Sequence, residues 1–528
     1  MATDGDDATA GLATDAPGLE EGSTFAWPTL LRRRVVDRME ASEHYPWLVL
    51  AVVLFGLFAV GSTITILAIA VPTIAEDLGT DVNTVSWVTT GPILAFAVFG
   101  PLGGKLADLR GLRKAYLFSL AGAMVFAGLT ALSPTATALI AFRVCGAAIG
   151  AATGPASLAI INRTFPPSRR SQALGYWAMV AAGGPVIGAL IGAPIIEAYG
   201  WRWIFIAQVP VMALCLAVAF AVLPHLPTAT ELGGKRSRLD GWGAATLGLG
   251  CVSLLLAVNR GAVNGWDSPA VIIGALVAVA MFGAFVAVER RVEHPLLPLA
   301  YTRQPNFSFP IAAQFCMNFA YMGAFAITPL LLQEEFNRTA VEATWLSIPR
   351  PLVFAIAGPV AGYLTIRVGE RRAAVFGATS ITLSMLALAQ VDAASRDAFI
   401  IFAVALSGLG MGSASPAMST AIASAVDEHD LGIAGAFQQM VNQVGVAIGI
   451  QVMLAVQTSR DAAVGGVAAY SEAYMVAAGV AFIGILLATR VRSTLHGVAV
   501  GRDEGAAHGD APDAEGSAAA DLVPLATR

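Results

Sequence analysis

An all-α membrane protein with about fourteen spanning helices is the fold class this sequence predicts. Three observations lead there: charge is scarce, apolar runs have the length of a bilayer crossing, and basic residues alternate between successive loops. Only 13% of the 528 residues are charged, 56% are hydrophobic, and mean hydropathy is +0.70. A soluble domain carries about 25% charged residues, so most of this surface cannot be meeting water.

The spans follow from length. A hydrocarbon core about 30 Å thick takes about 20 helical residues. Runs of that kind lie at 46–74, 86–104, 115–133, 136–160, 174–196, 203–224, 242–259, 270–289, 307–331, 343–365, 373–391, 398–424, 432–456 and 472–490. None shows the period-two alternation of a barrel strand, so helices are the only spanning structure that satisfies their backbones.

The loops set orientation. Alternate loops hold 22 Lys and Arg on one side against five on the other, the five being Arg202, Arg260, Arg338, Arg396 and Arg460. An excess of that size marks the cytoplasmic side and predicts both termini inside. The first 30 residues are acidic, Gly/Ala-rich and lack the apolar core of a signal peptide, and residues 501–528 are similar. Leu31, Arg32, Arg33, Arg34 and Arg38 form a basic segment just before the first span.

Composition also excludes classes. The net charge is −5 and no basic stripe interleaved with aromatics occurs, which argues against nucleic acid as a partner. Cys145, Cys215, Cys251 and Cys316 lie in apolar runs without zinc-ligand spacing. No GxxxxGK[ST] is present, so ATP is not expected to drive this chain. No cofactor is expected. Abundant arginine with only three lysines suggests a GC-rich bacterial source, hence a bacterial inner membrane.

The chain repeats itself. FGPLGGKLADLRG (99–111) matches AGPVAGYLTIRVG (357–369) at a constant offset of 258, with Gly100/Gly358, Pro101/Pro359, Gly104/Gly362, Leu106/Leu364 and Gly111/Gly369 in register. Pro155 and Pro416 pair further on. The expected division is a tail (1–45), a six-helix bundle (46–224), a two-helix insertion with linkers (225–306), a second six-helix bundle (307–490) and a second tail (491–528). Parallel repeats of this kind place a substrate site near the midplane between them.

Several stretches carry a resemblance: GKLADLRGLRK (104–114), LIAFRVCGAA (139–148), AAGGPVIGALIGAP (181–194) with WRWIFIAQVP (201–210), and, in the insertion, LDGWGAATLGLG, GAVNGWDSPAVI and VERRVEHPLLPL. On these, roughly residues 46–490 resemble the major facilitator superfamily, in particular the fourteen-helix drug:proton antiporters, the EmrB/QacA-like multidrug exporters. The resemblance implies secondary-active export of small amphipathic compounds across the bilayer by alternating access, with protons as the coupled ion and the chain acting as a monomer rather than as an enzyme.

The same resemblance distributes roles. Gly104, Asp108, Gly111 and Arg113 fall in a loop signature that it associates with gating, and Asp108 can sit against a positively polarised helix N-terminus. Arg143, inside the fourth span, is associated with coupling. Burying it costs ~2.5–3.5 kcal/mol on insertion scales, so it should face a cavity or a partner. Gly184, Pro185 and Gly188 match an exporter signature whose glycines share one close-approach face. Where related exporters carry an intramembrane aspartate, this chain has Thr63; Glu197, Asp240 and Glu289 sit at span ends, and no Asp, Glu or His lies in the interior of a span.

Candidate cavity residues are Thr63, Gln314, Asn318 and Tyr321 (the last three at i, i+4, i+7), Arg350, Gln438 and Asn442. If Arg350 joined Arg143 in an electropositive cavity, anionic or zwitterionic cargo would follow; the alternative is that it reaches the outer interface. Two other classes stay open: an uncoupled facilitator or importer of a specific metabolite, and a non-transporting membrane enzyme or sensor.

Overall fold

Proline and short polar side chains start many of the helices. Pro167, Pro269, Pro305 and Pro349 each open one, where a missing N–H costs nothing. Thr135 and Asp240 cap two others by accepting the N–H of Ala138 and Gly243, and Thr339 with Glu342 forms a capping box. The structure, a computed structural model, describes residues 42, 44–80, 82–224, 226, 240–265, 267–292 and 299–492. The basic segment at 31–38, Lys235, Arg236, Arg238 and nearly all of both expected tails lie outside them.

The first repeat folds as α1 (Tyr45–Gly61), α2 (Thr63–Asp77), α3 (Val82–Arg110), α4 (Leu112–Ala131), α5 (Ala136–Gly150), α6 (Thr153–Thr164), α7 (Pro167–Tyr199) and α8 (Arg202–Val222). The insertion supplies α9 (Gly241–Asn264) and α10 (Pro269–Glu289). The second repeat folds as α11 (Pro305–Glu334), α12 (Ala340–Ser347), α13 (Pro349–Val368), α14 (Glu370–Leu388), α15 (Asp397–Ala423), α16 (Leu431–Val464) and α17 (Gly466–Ala488). No strand occurs among the described residues.

Twelve described helices are long and apolar enough to cross a membrane. The other two expected spans take different forms. The first is divided at Ser62 into α1 and α2, although Ser62 keeps helical dihedrals and its N–H donates to the Phe58 carbonyl at 2.9 Å. The eleventh is α14, whose charged first turn (Glu370, Arg371 and Arg372) lowers its apolarity more than its hydroxyls do; Ser380 and Thr382 bond their own helix, and Ser384 donates to Ala403 O on α15. The tenth span is also divided, into α12 and α13, because Pro349 cannot continue the helix before it.

Apolar side chains point outward as well as in. On α10, Ile272, Ile273, Leu276 and Val279 are all exposed, Val279 by 72%. A patch of this kind is costly in water and neutral against acyl chains. Inside, small residues bring backbones together: a Cβ at Gly377 on α14 would lie 2.4 Å from Gly410 O on α15.

The two repeats meet along two crossed seams. α3 packs along α16, and α7 packs along α13. The inserted α9 rests on both α3 and α16, across the first of these seams. Matched Gly111 and Gly369, at the ends of α3 and α13, have φ of 99° and 89°, a region L side chains avoid.

Candidate functional site: a central cavity closed at one end by a latch

The seams are tightest at the end that carries residues 104–111. A Cβ at Gly104 would sit 2.5 Å from the Gly432 carbonyl oxygen and 2.5 Å from Ala436 Cβ. Its repeat partner Gly362 would sit 2.4 Å from Ser171 O. Gly432 and Ser171 are themselves repeat partners, at the offset of 261 set by Pro155 and Pro416. Each seam is therefore the other one with the repeats exchanged.

Charge breaks the symmetry. Asp108 is 2% exposed and accepts the N–H groups of Gly432 (3.0 Å) and Ile433 (2.8 Å) at the N-terminus of α16. Dipole and bonds both favour the carboxylate there. Arg163 Nη2 lies 3.6 Å from Asp108 Oδ1 and donates to Glu428 O at 2.6 Å. Lys105 Nζ lies 4.0 Å from Asp430 Oδ1. Tyr301, in the linker after α10, donates to Asp430 Oδ2 (2.9 Å) and lies 3.1 Å from Asp427 Oδ2. Burial, then the Asp430 carboxylate, pushes its phenol above the ordinary range. Ile366 holds the place of Asp108 in the other seam.

Beyond this latch, between the repeats, lies a cavity of about 450 Å³. First-repeat residues on its wall include Thr63, Phe96, Arg143, Trp177, Pro185 and Gln208; second-repeat residues include Asn318, Tyr321, Phe354, Gln439, Asn442 and Gln443. Asn318 Nδ2 donates to Gln314 O at 2.9 Å and lies 3.3 Å from Asn442 Oδ1. Arg143 Cζ stands 5.6 Å from the Phe205 ring centroid. Its Nε has no hydrogen-bond partner, and it forms no ion pair among the described residues. Toward the latch, the space between Leu158, Ser419 and Gln438 narrows to a void of about 10 Å³, about one water.

The exporter-type glycines do not face the cavity. On α7, a Cβ at Gly188 would lie 2.1 Å from Ser62 O, and one at Gly184 3.5 Å from Phe58 Cδ2, so these residues hold α7 against the first span. Pro185, between them, lies on the cavity wall. Gly445 and Gly449 repeat the arrangement at the offset of 261; their Cβ atoms would lie 2.9 and 2.2 Å from the carbonyl oxygens of Phe315 and Phe319 on α11.

Of the expected cavity residues, Thr63, Asn318, Tyr321 and Asn442 line the wall. Gln314 and Gln438 lie behind it: Gln438 Nε2 donates to Gln314 Oε1 (2.9 Å) and Ser419 Oγ (2.7 Å), an internal clasp among α11, α15 and α16. Arg350 is neither on the wall nor at an outer interface. It is 1% exposed, with Nη2 3.3 Å from Thr328 Oγ1 and Nη1 3.4 Å from Tyr321 O. Pro349 and Pro351 set its place at the start of α13, behind the Tyr321 ring. Arg113 does not join the latch either; Nη2 donates to Phe220 O at 2.7 Å, at the end of α8.

The sequence reading missed Gln208, Arg163, Lys105, Tyr301 and Asp430. Of these only Lys105 carried a signal, because it falls inside the matched stretch 99–111.

Comparison with known proteins agrees with this geometry. The profile of the Major Facilitator Superfamily matches residues 53–288 and 311–522. The tetracenomycin C resistance and export protein of Streptomyces glaucescens is 28% identical over 417 residues, 79% of this chain and 76% of that protein. The multidrug export protein EmrB of Escherichia coli K12 is 31% identical over 316 residues, 59% of this chain and 60% of that protein. Among solved structures, the proton:xylose symporter XylE superposes with a TM-score of 0.63 at 12% identity, over 86% of this chain and 99% of that one. The match runs through both repeats and the fold agrees, so the chain belongs to the Major Facilitator Superfamily.

Proposed function

We propose that the protein is a secondary-active exporter of small amphipathic compounds that works by alternating access as a monomer. The observation that carries this reading is the cavity of about 450 Å³ walled by both repeats and closed at one end by the two matched glycine seams. The repeats 46–224 and 307–490 rock about this cavity, and the inserted helices bring the count of crossings to fourteen. With both termini inside a bacterial inner membrane, the latch end is cytoplasmic, and the conformer described is the one shut toward the cytoplasm.

Export is favoured over uptake by the Gly184–Pro185–Gly188 signature and by relatives whose names describe resistance and export. Protons are the proposed driving ion. Among the described residues no acidic side chain lines the cavity, so their route runs through the latch carboxylates Asp108 and Asp430 rather than through the first span. That same lack of an acidic wall favours a second reading, uncoupled facilitation.

Reconstituted protein loaded with an amphipathic dye separates these readings. Proton antiport predicts dye movement against its gradient that stops when a protonophore collapses the pH difference. Movement down the gradient alone, indifferent to protonophore, selects facilitation. No movement of any amphipathic dye contradicts both.

A further inference from the structure

We infer that the central cavity selects anionic aromatic amphiphiles, with the Arg143 guanidinium as the group that receives the anion. The inference rests on the reading of this cavity as the transport site.

Charge on the wall is one-sided. Among the described lining residues Arg143 is the sole ionisable group that carries a charge at neutral pH. Its Nε has no hydrogen-bond partner, and among the described residues the Phe205 face alone offers the cation compensation, at 5.6 Å. An unpaired guanidinium in a low-dielectric site is held at a cost that an incoming carboxylate, phosphate or phenolate relieves. A guanidinium also presents a planar fork that such oxyanions match.

The remaining polar groups reinforce this preference. The side-chain amides of Gln439, Asn442 and Gln443 donate to no described residue, so their N–H groups are available to ligand oxygens. Aromatic rings stand among aliphatic side chains on the rest of the wall: Trp177 and Phe96 from one repeat, Tyr321 and Phe354 from the other, the last two edge-on at 5.8 Å. Ring faces suit a flat apolar body. A monocation, by contrast, would be desolvated beside Arg143 with no carboxylate to meet it. Thr63 lines the cavity and supplies only a hydroxyl.

The test is a matched probe series on the full chain in nanodiscs: 4-(1-pyrenyl)butyrate, its methyl ester, and the corresponding pyrenylbutyl trimethylammonium, titrated by calorimetry against empty discs. The carboxylate is expected to bind at least about tenfold tighter than the ester, and the ammonium more weakly than either. Arg143→Gln is expected to erase the carboxylate preference while keeping the ester affinity, which also reports a folded cavity. Arg143→Lys should restore part of the preference.

An ammonium probe that binds as tightly as the carboxylate overturns the inference. So does a carboxylate preference that survives Arg143→Gln, or a failure of all three probes to bind. Binding needs no gradient, so the two readings fail separately. A carboxylate that binds but is not moved in proteoliposomes sinks the transport reading alone. Transport that favours neutral or cationic probes sinks this inference alone.

Discussion

The Asp108 carboxylate accepts the backbone N–H of Gly432 at 3.0 Å, and so ties the end of α3 to the first turn of α16. The bond joins the two repeats at a buried point, and a second from Ile433 doubles it. A charge-assisted bond of this kind contributes ~1.5–3 kcal/mol net. Asp108→Asn removes the charge and turns an amide N–H toward backbone donors. The expected result is a latch equilibrium shifted toward opening by about tenfold or more. Net transport in proteoliposomes should fall, while membrane insertion stays normal. Ser419→Cys, in a background with the four native cysteines replaced, reports the opening through labelling by an impermeant maleimide from the latch side. Wild-type transport and labelling in Asp108→Asn would remove this bond from the mechanism.

Gly104 and Gly362 should respond alike. Each approaches a carbonyl oxygen of the opposite repeat too closely for any side chain. Gly104→Val and Gly362→Val are both expected to hold their seam apart and to reduce transport to near background. Spin-label distances across the latch should widen in both variants. A defect in one variant and full activity in the other would show that the two seams are not equivalent parts.

Gly188 and Gly449 are packing positions rather than latch positions. Gly188→Val drives a methyl-bearing carbon into Ser62 O, and Gly449→Val does the same at Phe319 O. Overpacking of this kind costs ~1–3 kcal/mol. Thermal unfolding in detergent should show a lowered midpoint for each. Ser62→Ala should not rescue Gly188→Val, since the clash is with backbone. Rescue would place the conflict at the Ser62 side chain instead.

Tyr301→Phe probes whether the insertion is coupled to the latch. The phenol bridges Asp427 and Asp430 beside α16, and its loss removes a bond worth ~1–2 kcal/mol. The expected effect on Ser419→Cys labelling is in the same direction as that of Asp108→Asn and smaller. No change in labelling would mean that the Tyr301 turn is tethered to the latch without influencing it.

The sequence carried the architecture because hydropathy and repeats report it directly. An offset of 258 placed Gly104 and Gly362 in equivalent positions before any contact was known. The place of Asp108 at a helix N-terminus was likewise legible from its charge and spacing. The second glycine ledge, Gly445 and Gly449, was not, because Val446 stands where Pro185 marks the first and the signature no longer reads. Helical spacing put Gln314, Asn318 and Tyr321 on one face, but a face spans both cavity and neighbouring helix. Gln314 turned to Gln438, whereas Asn318 and Tyr321 reached the wall. Arg350 was misread because its depth depends on where the tenth span breaks, and Pro349 fixes that break.

The central claim is that the repeats rock, opening the latch end as the cavity changes sides. Spin labels at the exposed positions Arg169 and Arg371, at the latch-end starts of α7 and α14, measure this most directly by pulsed electron–electron resonance in nanodiscs. The account predicts two distance populations whose ratio shifts on adding substrate or changing pH. One unchanging distance under every condition, in protein that transports, would contradict it.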